Sequence, residues 1–355
     1  MSTVHHSKLL NQPSNRKKWL FIGLFVLLTA IGLSYVKWWP YYLKALTAMN
    51  EHSIGTSILT GINTDQALSI WESALQYTIT YFKSVWKAAL LGMLIATLIQ
   101  ALLPANWLYQ LLGRSSMKST VLGGAASIPG MMCSCCAAPI ASGMRKQQVS
   151  VGASLAFWLG NPLLNPATLI FMTFVLSWKY TVLRLVFGLL ITFGVSYAAN
   201  RFARQEKITD AIAAGELSSR EDRSASVWIR WGTSFGKMVL QVAPVYLISV
   251  FALAALQSYM FPVWLNEGIA AIILFAIVGA LFVIPTAAEI PIIQSFRMLG
   301  ISTGPAAALL VTLPAISLPS LLLVSKAFPR KVLVFVLGSV ILAGIFCGFV
   351  GWLWL

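Results

Sequence analysis

The sequence predicts an all-α, polytopic protein of the inner membrane with about seven full spans and two proline-broken segments. Of its 355 residues, 58% are apolar and 10% are charged, a balance outside the range of soluble proteins. A helix needs about 20 apolar residues to cross the hydrocarbon core. Suitable windows lie at 19–39, 84–103, 163–178, 181–200, 238–260, 305–325 and 331–355. Two further apolar stretches, 119–144 and 268–296, contain prolines and are predicted to be broken helices.

The basic residues indicate membrane orientation rather than nucleic-acid binding. The net charge is +15, and the lysines and arginines gather in short loops, as is typical of cytoplasmic loops. The stretch "HHSKLLNQPSNRKK" precedes an apolar run that is longer than a signal-peptide core. We therefore interpret residues 1–83 as an uncleaved anchor helix with a cytoplasmic N-terminus, followed by an outer segment. Residues 40–83 of this region are predicted to include an interfacial amphipathic helix outside the membrane.

An internal repeat organises the rest of the chain. Shifting the sequence by 152 positions superposes Pro139 on Pro291, Arg145 on Arg297, Val149 on Ile301, Ser150 on Ser302, Gly152 on Gly304 and Pro162 on Pro314. Such symmetry is typical of secondary transporters. We predict one permease repeat at 84–200 and a second at 238–355, joined by a polar cytoplasmic linker at 201–237.

Two topologies are open for the broken segments. If 119–144 is a re-entrant hairpin, its half-helices are 119–128 and 134–144, and most basic residues of the chain lie inside. Each repeat then has three crossings, so the second copy is inverted in the membrane. If the broken segments cross fully, the protein has 8–9 spans and the charge asymmetry disappears. The positive-inside rule favours the hairpin.

Prolines mark where these helices are expected to break, since proline has no backbone N–H and clashes with the preceding turn. The predicted structural breaks are Pro129, Pro139, Pro162, Pro166, Pro285, Pro291 and Pro314.

Three of the four cysteines lie within four positions, in the sequence "MMCSCC". Cys133, Cys135 and Cys136 are too close in sequence to form a disulfide framework. Cysteine can serve as a small buried apolar residue, but alanine or serine would pack equally well at three such positions. If Cys135 and Cys136 begin a half-helix, its positive end favours thiolates, which bind soft metals and metalloids. We predict a thiol site for a soft solute.

Glu289 is the acidic residue that lies inside an apolar stretch. An ionisable group at membrane depth is costly and usually marks a transport pathway, a proton relay or a buried ion pair. The repeat places Glu289 opposite Ala137, next to Cys136, so thiols and carboxylate are expected near the membrane midplane. We interpret Glu289 as the coupling group. The alternative is a structural carboxylate that pairs with Arg297 or caps a half-helix.

Polar side chains beside the proline breaks complete the predicted site. The motif "GNPLLNP" carries Asn161 and Asn165, and its counterpart "LPAISLP" carries Ser317. Their side chains and the carbonyls freed by proline could line the same cavity, although a helix kink without ligand contact explains them too. The histidines, His5, His6 and His52, fall outside the predicted spans. We therefore expect no bound metal and no cofactor.

The stretch "CSCCAAPIASGMRKQQVSVGASLAFWLGNPLLNP" resembles the predicted-permease family that includes YraQ and the organoarsenical efflux permease ArsP. The runs "PTAAEIP" and "GPAAALLVTLPAISLPSLL" resemble the same group, and the resemblance covers about residues 84 to 350. It implies an inner-membrane permease and, for the arsenical branch, export of trivalent organoarsenicals through cysteine thiols. The corresponding ligands in this chain are Cys133, Cys135 and Cys136. The third cysteine departs from the family pattern, in which glycine is expected.

We therefore predict a secondary transporter of a small molecule or metalloid, working in the lipid bilayer by alternating access of two repeats. The sequence has no Walker A motif, so the energy is expected to come from an ion gradient or a partner protein. One alternative is a membrane thiol-disulfide oxidoreductase that uses Cys133-x-x-Cys136 with a thioredoxin-like partner protein. Another is a membrane scaffold without transport, which explains neither Glu289 nor the broken helices.

Overall fold

The computed structural model describes residues 15–55, 70–203, 227–260 and 268–355, and in these ranges the chain forms helices and turns without a β-strand. Seven helical stretches within them are long and apolar enough to cross a membrane, namely Trp19–Glu51, Ile70–Leu102, Val151–Val175, Trp178–Ala203, Trp231–Gln257, Thr303–Val324 and Arg330–Trp354. The prediction of an all-α membrane protein with about seven full spans is confirmed. Most of the predicted linker at 201–237 lies outside the described residues.

The first span is a long helix with a π-helical turn in its middle. Helix α1 (Asn15–Leu33) passes into a π-turn (Ser34–Trp38) and continues as α2 (Trp39–Glu51). π-turns inside α-helices are frequent at functional sites. This one carries Lys37, whose side chain is buried in the protein.

The predicted outer helix in residues 40–83 is wrong. Residues 39–51 continue the first span, and α3 runs without a break from Ile70 to Leu102, so the predicted boundary at 84 lies inside a helix. The polar stretch "YTITYF" suggests a surface helix, but its tyrosines pack inside the protein. Tyr77 is buried and donates a hydrogen bond to the carbonyl of Val283, at 2.6 Å. Positions 56–69 lie outside the described residues.

The first broken segment forms two half-helices, as predicted. After the short α4 (Ala105–Leu112), α5 (Met117–Ser127) ends in a 3₁₀ turn (Ile128–Gly130), and α6 (Ser134–Lys146) follows. Ser150, beyond α6, donates a backbone hydrogen bond to the carbonyl of Leu112, before α5, at 2.9 Å. The segment between them therefore leaves and returns at the same end of the bundle.

The second broken segment repeats this arrangement. Helix α12 (Gly268–Leu281) is followed by a non-helical tip and then by α13 (Glu289–Met298). Gly304, beyond α13, lies against the side chain of Ile272 near the start of α12. This segment also returns to the end from which it entered.

The two segments enter from opposite ends of the bundle. Helix α11 (Val227–Met260) packs along α3 in the opposite direction, because Trp231 near its start donates to Thr97 near the end of α3, at 3.1 Å. Phe82 and Tyr246 meet further along, with ring centroids 6.1 Å apart. The first segment thus follows the end of one helix, and the second follows the end of its antiparallel partner.

Two further spans are each interrupted near their middle. The first consists of α7 (Val151–Leu163) and α8 (Pro166–Val175), and the second of α14 (Thr303–Ala315) and α15 (Leu318–Val324). Asn165 and Ser317 are the N-caps of α8 and α15, and they correspond under the 152-residue shift. The remaining spans are α9 (Trp178–Leu189), which continues through a π-turn (Leu190–Val195) into α10 (Ser196–Ala203), and α16 (Arg330–Trp354).

Glycines permit the close packing of the first half-helices. A Cβ atom at Gly92 of α3 would overlap the carbonyl oxygen of Cys136, and one at Gly143 of α6 would press on the backbone of Ala96. Small residues of this kind allow helix backbones to approach closely in a membrane, where there is no hydrophobic effect to drive helices together. The first hairpin is therefore held tightly against α3.

Candidate functional site

Both broken segments and both interrupted spans meet at one small cavity. Its lining is Cys133, Pro162, Ile284, Pro285, Thr286, Ala287, Glu289 and Pro314. The space open to the centre of a water molecule is about 10 Å³, which is room for roughly one water. Cys133 corresponds to Pro285 and Pro162 to Pro314 under the 152-residue shift, so the two halves contribute equivalent positions.

Two of the three clustered thiols form a pair. Cys133 is the N-cap of α6, and Cys136 lies one turn later on the same face. Their sulfur atoms are 3.1 Å apart, and both thiols are buried and not joined by a disulfide. Within the described residues, no three His, Cys, Asp or Glu side chains converge as a metal site. The predicted set of three thiols is thus a pair with the third thiol pointing elsewhere.

Cys135 faces a separate polar cluster that the second half completes. Its sulfur lies 3.1 Å from the hydroxyl oxygen of Ser317, at the start of α15. The hydroxyls of Tyr81 and Tyr246 also face this thiol, and both are buried with no other hydrogen-bond partner among the described residues. Cys135 therefore sits on the contact between the first hairpin and the second interrupted span, rather than in the cavity with Cys133.

Glu289 forms a buried ion pair with Arg184. The guanidinium Nη1 of Arg184, on α9, lies 2.7 Å from the carboxylate Oε1 of Glu289, and both side chains are almost fully buried. The second carboxylate oxygen, Oε2, has no hydrogen-bond partner among the residues that the structure describes. Arg297 is not the partner of Glu289, because Arg297 is exposed in the last turn of α13. Helix capping does not account for Glu289 either, because its carboxylate forms the ion pair with Arg184.

Proline explains why Arg184 lies where it does. The carbonyls of Pro162 and Leu310 would accept from residues 166 and 314 in a regular helix, but both of those residues are prolines without an N–H. Arg184 donates to the Pro162 carbonyl at 2.6 Å and to the Leu310 carbonyl at 3.3 Å. One arginine thus satisfies backbone groups freed in both halves and also neutralises Glu289.

Lys37 and its neighbour connect the first span to both hairpin tips. Lys37 Nζ donates to the hydroxyl of Thr286 at 3.2 Å and to that of Tyr41 at 3.0 Å. The indole of Trp38 donates to the carbonyl of Pro129, at the other tip, at 2.8 Å. Lys37 is 5% exposed, and its ammonium group acts electrostatically on the nearby Cys133–Cys136 pair. A buried cation therefore lies beside the thiol pair.

The predicted amide and hydroxyl residues stabilise the breaks. Asn161 accepts from the backbone N–H of Met132 and donates to the carbonyl of Phe157, which holds the first tip. Asn165 accepts from two N–H groups at the start of α8, while its own amide nitrogen has no partner. Ser317 forms a capping box at the start of α15. Ser317 also contacts the thiol of Cys135.

Most of the predicted break prolines lie at helix ends or between helices, namely Pro129, Pro162, Pro166, Pro285, Pro291 and Pro314. Pro139 does not break its helix, because α6 continues through this residue from Ser134 to Lys146. Besides its proline, the first tip contains Met131 and the second contains Ala287, both in the left-handed backbone region that disfavours side chains.

Sequence reasoning missed the two cations of the site. Lys37 and Arg184 both lie inside predicted apolar windows, at 19–39 and 181–200, but only acidic residues were considered there as candidates for the site. The signal was available, because each is a lone basic residue within an apolar run, in "SYVKWW" and "YTVLRLVF". Applied to basic residues as well, the same rule would have found both.

Comparisons with known proteins agree with these features. A family model described as a predicted permease matches residues 125–351, which include the cavity lining, the second broken segment and the first broken segment from residue 125 onward. UPF0718 protein YraQ of Escherichia coli (strain K12) is 44% identical over 341 residues, or 95% of this chain and 96% of that protein. UPF0718 protein MJ0584 of Methanocaldococcus jannaschii is 21% identical over 333 residues, or 74% of this chain and 90% of that protein. No solved structure matches significantly.

The family match covers more than half of the chain, and the YraQ match covers nearly all of it. The resemblance inferred from the cysteine and proline motifs is confirmed. Together with the seven apolar helices, these matches show that the chain is a multi-pass membrane protein and belongs to the predicted-permease family.

Proposed function

We propose that this permease is a secondary transporter of a small thiophilic solute, bound at the Cys133–Cys136 pair and coupled to an ion through Glu289. One observation carries the proposal. Cys133, one member of the thiol pair of the first half, and the buried carboxylate of Glu289 from the second half line the same small cavity, at the meeting point of four helix breaks. Ionisable groups at membrane depth are costly, and transporters place them where the solute passes.

The arrangement of the two halves supports alternating access. The hairpins enter from opposite ends of the bundle, and the site lies where their tips meet. Inverted repeats work by rocking one repeat against the other around such a site. We propose that residues 84–200 and 238–355 are inverted copies and that the cavity opens to each side in turn.

The basic residues suggest which end is cytoplasmic. Arg114 and Lys118 precede or begin the first hairpin, Arg145 and Lys146 end it, and Arg145 donates to the carbonyl of Ala327, beside the start of α16. Basic loops of this kind stay inside. We propose an inner-membrane location, with this end and the N-terminus in the cytoplasm.

Two solute classes fit a thiol pair: trivalent metalloids and small sulfur species. A trivalent organoarsenical with two hydroxyl groups would form one As–S bond to Cys133 and one to Cys136. The two thiol protons would leave with the two hydroxyl groups as two molecules of water. Soft thiol ligands favour such solutes over hard ions.

Glu289 is suited to coupling because one of its oxygens is already paired and the other is not. Protonation at Oε2 would weaken the attraction to Arg184, which lies on α9 in the first half. Loading and releasing a proton would therefore change the strength of a contact between the halves. Proton-coupled transporters use embedded carboxylates in this way.

Transport in everted membrane vesicles tests the proposal. The solutes are methylarsenite, antimonite and thiosulfate, and the proteins are wild type, Cys133→Ser, Cys136→Ser and Glu289→Gln. We expect the serine variants to lose transport and Glu289→Gln to lose its dependence on the proton gradient. Cys347→Ser is the matched control, because Cys347 is a buried thiol in α16 outside the cavity lining, and it should transport normally. Unchanged flux in the serine variants would overturn the site.

The oxidoreductase remains a second candidate because the sulfur atoms of Cys133 and Cys136 are only 3.1 Å apart. In that reaction the pair would be oxidised to a disulfide, and the disulfide of a thioredoxin-like partner would be reduced to two thiols. A Cys136→Ser variant should then trap a mixed disulfide between Cys133 and the partner. Its absence, together with solute flux through the wild-type protein, would favour the transporter.

A further inference from the structure

Lys37 places a positive charge near the thiol pair, and no carboxylate among the described residues forms an ion pair with it. The residue is 5% exposed, and the ion pair recorded among the described residues joins Arg184 to Glu289 instead. An unpaired buried charge costs several kcal/mol, so such groups usually have a counter-charge. With the thiols and hydroxyls neutral, Lys37, Arg184 and Glu289 leave the site with one net positive charge.

The hydrogen bonds of Lys37 leave one donor unused. An ammonium group has three N–H donors. Two are directed at the hydroxyls of Tyr41 and Thr286, and within the described part of the chain the third has no hydrogen-bond acceptor. Thr286 lines the cavity next to Cys133, so the ammonium group lies at the border of the proposed solute site.

The position of Lys37 is also fixed from both sides. The π-turn aims it inward, Trp38 attaches the turn to the first hairpin tip through the Pro129 carbonyl, and Lys37 itself contacts the second tip through Thr286. A lysine that only covered apolar surface would extend its amine towards water. This one is held against the tips of both hairpins.

We infer that Lys37 binds the negative charge of the transported solute, and that the solute is a small anion with a soft sulfur atom. This inference rests on the proposed function and narrows it from thiophilic solutes in general to anionic sulfur species. The ammonium group and the hydroxyls of Thr286 and Tyr41 would contact the anionic, hydrogen-bond-accepting end. The thiols of Cys133 and Cys136 would contact the soft sulfur as polarisable groups and weak donors.

The test measures protection of the thiol pair in the purified full-length protein. In a Cys135→Ser/Cys347→Ser background, N-ethylmaleimide alkylates only Cys133 and Cys136. Thiosulfate is the probe, because it combines a soft sulfur with anionic oxygens, and sulfate is the hard anion of the same shape. We expect thiosulfate to slow alkylation at concentrations where sulfate does not.

The decisive comparison is between lysine variants. Lys37→Met should raise the half-protecting concentration of thiosulfate at least about thirtyfold, as expected for loss of one desolvated charge contact. Lys37→Arg should retain most of the protection. Lys44→Met, which removes an exposed lysine further along the same span, should behave as the parent protein. Protection by the neutral reagent phenylarsine oxide serves as the check that Lys37→Met is folded.

The inference is overturned if thiosulfate protects Lys37→Met as well as the parent protein, or if thiosulfate gives no protection at all. In either case the proposed function stands if phenylarsine oxide still protects the thiols and methylarsenite transport still depends on Cys133 and Cys136. Lys37 is then assigned as a counter-ion of the thiols alone. Loss of cysteine dependence in the vesicle assay removes the proposed function itself.

Discussion

The two hairpins have the same form and carry different chemistry. The first, α5 and α6, has a thiol pair at its tip and packs tightly along α3 through Gly92. The second, α12 and α13, has a carboxylate at its tip, held by Arg184 and by the contacts of Lys37 and Tyr77. The first tip is fixed by close backbone packing and by hydrogen bonds of Trp38 and Asn161, whereas the second is held by an ion pair and by hydrogen bonds from helices earlier in the chain.

The difference separates what the architecture requires from what the proposed solute would require. Both halves keep a broken segment, prolines at the breaks and an N-cap after the interrupted span, Asn165 in one and Ser317 in the other. These features satisfy backbone groups that have no water to bond. The thiol pair and the carboxylate each occur in one hairpin and not in the other. A site that needs both groups can therefore form only where the two halves meet.

Breaking the charge contact of the second tip should have the largest effect. Arg184→Met leaves Glu289 buried without its counter-charge and frees the carbonyls of Pro162 and Leu310. We expect a loss of about 3–5 kcal/mol in the free energy of unfolding. Denaturant unfolding in detergent measures it.

Two controls sharpen this prediction. Arg297→Met removes an exposed arginine and should change stability by less than about 0.5 kcal/mol. The double variant Arg184→Met/Glu289→Met removes both charges and should be more stable than Arg184→Met alone. Equal stability of Arg184→Met and Arg297→Met would show that the second tip is not held by the ion pair.

Disturbing the close packing of the first tip should have a smaller effect. Gly92→Ala places a methyl group against the carbonyl of Cys136, and overpacking of this kind costs about 1–3 kcal/mol. Gly338→Ala, in the middle of α16 with open space around it, should instead stabilise by about 0.5–1 kcal/mol. Thermal unfolding of both variants measures the contrast, and two changes of the same sign would contradict it.

The paired N-caps should behave alike in stability and differently in chemistry. Asn165→Ala and Ser317→Ala each remove a cap and should each cost about 1 kcal/mol. Ser317→Ala also removes the hydroxyl beside Cys135, so alkylation of Cys135 should change in that variant and stay constant in Asn165→Ala. Mass spectrometry of the alkylated peptides measures both. Identical alkylation in the two variants would separate Ser317 from the thiol.

The smallest structural change is oxidation of the thiol pair. Diamide should join Cys133 to Cys136, because their sulfur atoms are 3.1 Å apart on one face of α6, and should leave Cys135 and Cys347 available for alkylation. Peptide mass spectrometry identifies the bond by the loss of two hydrogen atoms. A disulfide that includes Cys135 would contradict the orientation of the three thiols.

Local patterns in the sequence were sufficient to predict the architecture. Apolar windows located the spans, and the prolines with "MMCSCC" located the first hairpin close to its observed half-helices, α5 and α6. The error in residues 40–83 arose because Tyr77 and Tyr81 look like surface residues, whereas they are buried against the second half. Polar aromatic residues can face water or a protein interior, and composition does not distinguish these environments.

The sequence identified several residues of the candidate site but not which of them contact one another. Helical spacing implies that Cys133 and Cys136 share a face, and the structure adds that Cys135 faces Ser317. Glu289 was identified, but its partner is Arg184, more than a hundred positions away. Arg297 is nearer in sequence and lies in the same helix, yet it is exposed at that helix's other end.

The sequence by itself determined the number of spans, the positions of the breaks and the kinds of reactive group near them. These depend on the length of apolar runs and on residues that cannot continue a helix, which are local properties. Only the tertiary structure decided which thiols pair, which cation neutralises Glu289 and that Lys37 joins the site. Those contacts depend on how separate helices pack, and helix periodicity defines the face of a residue but not the helix that will cover it.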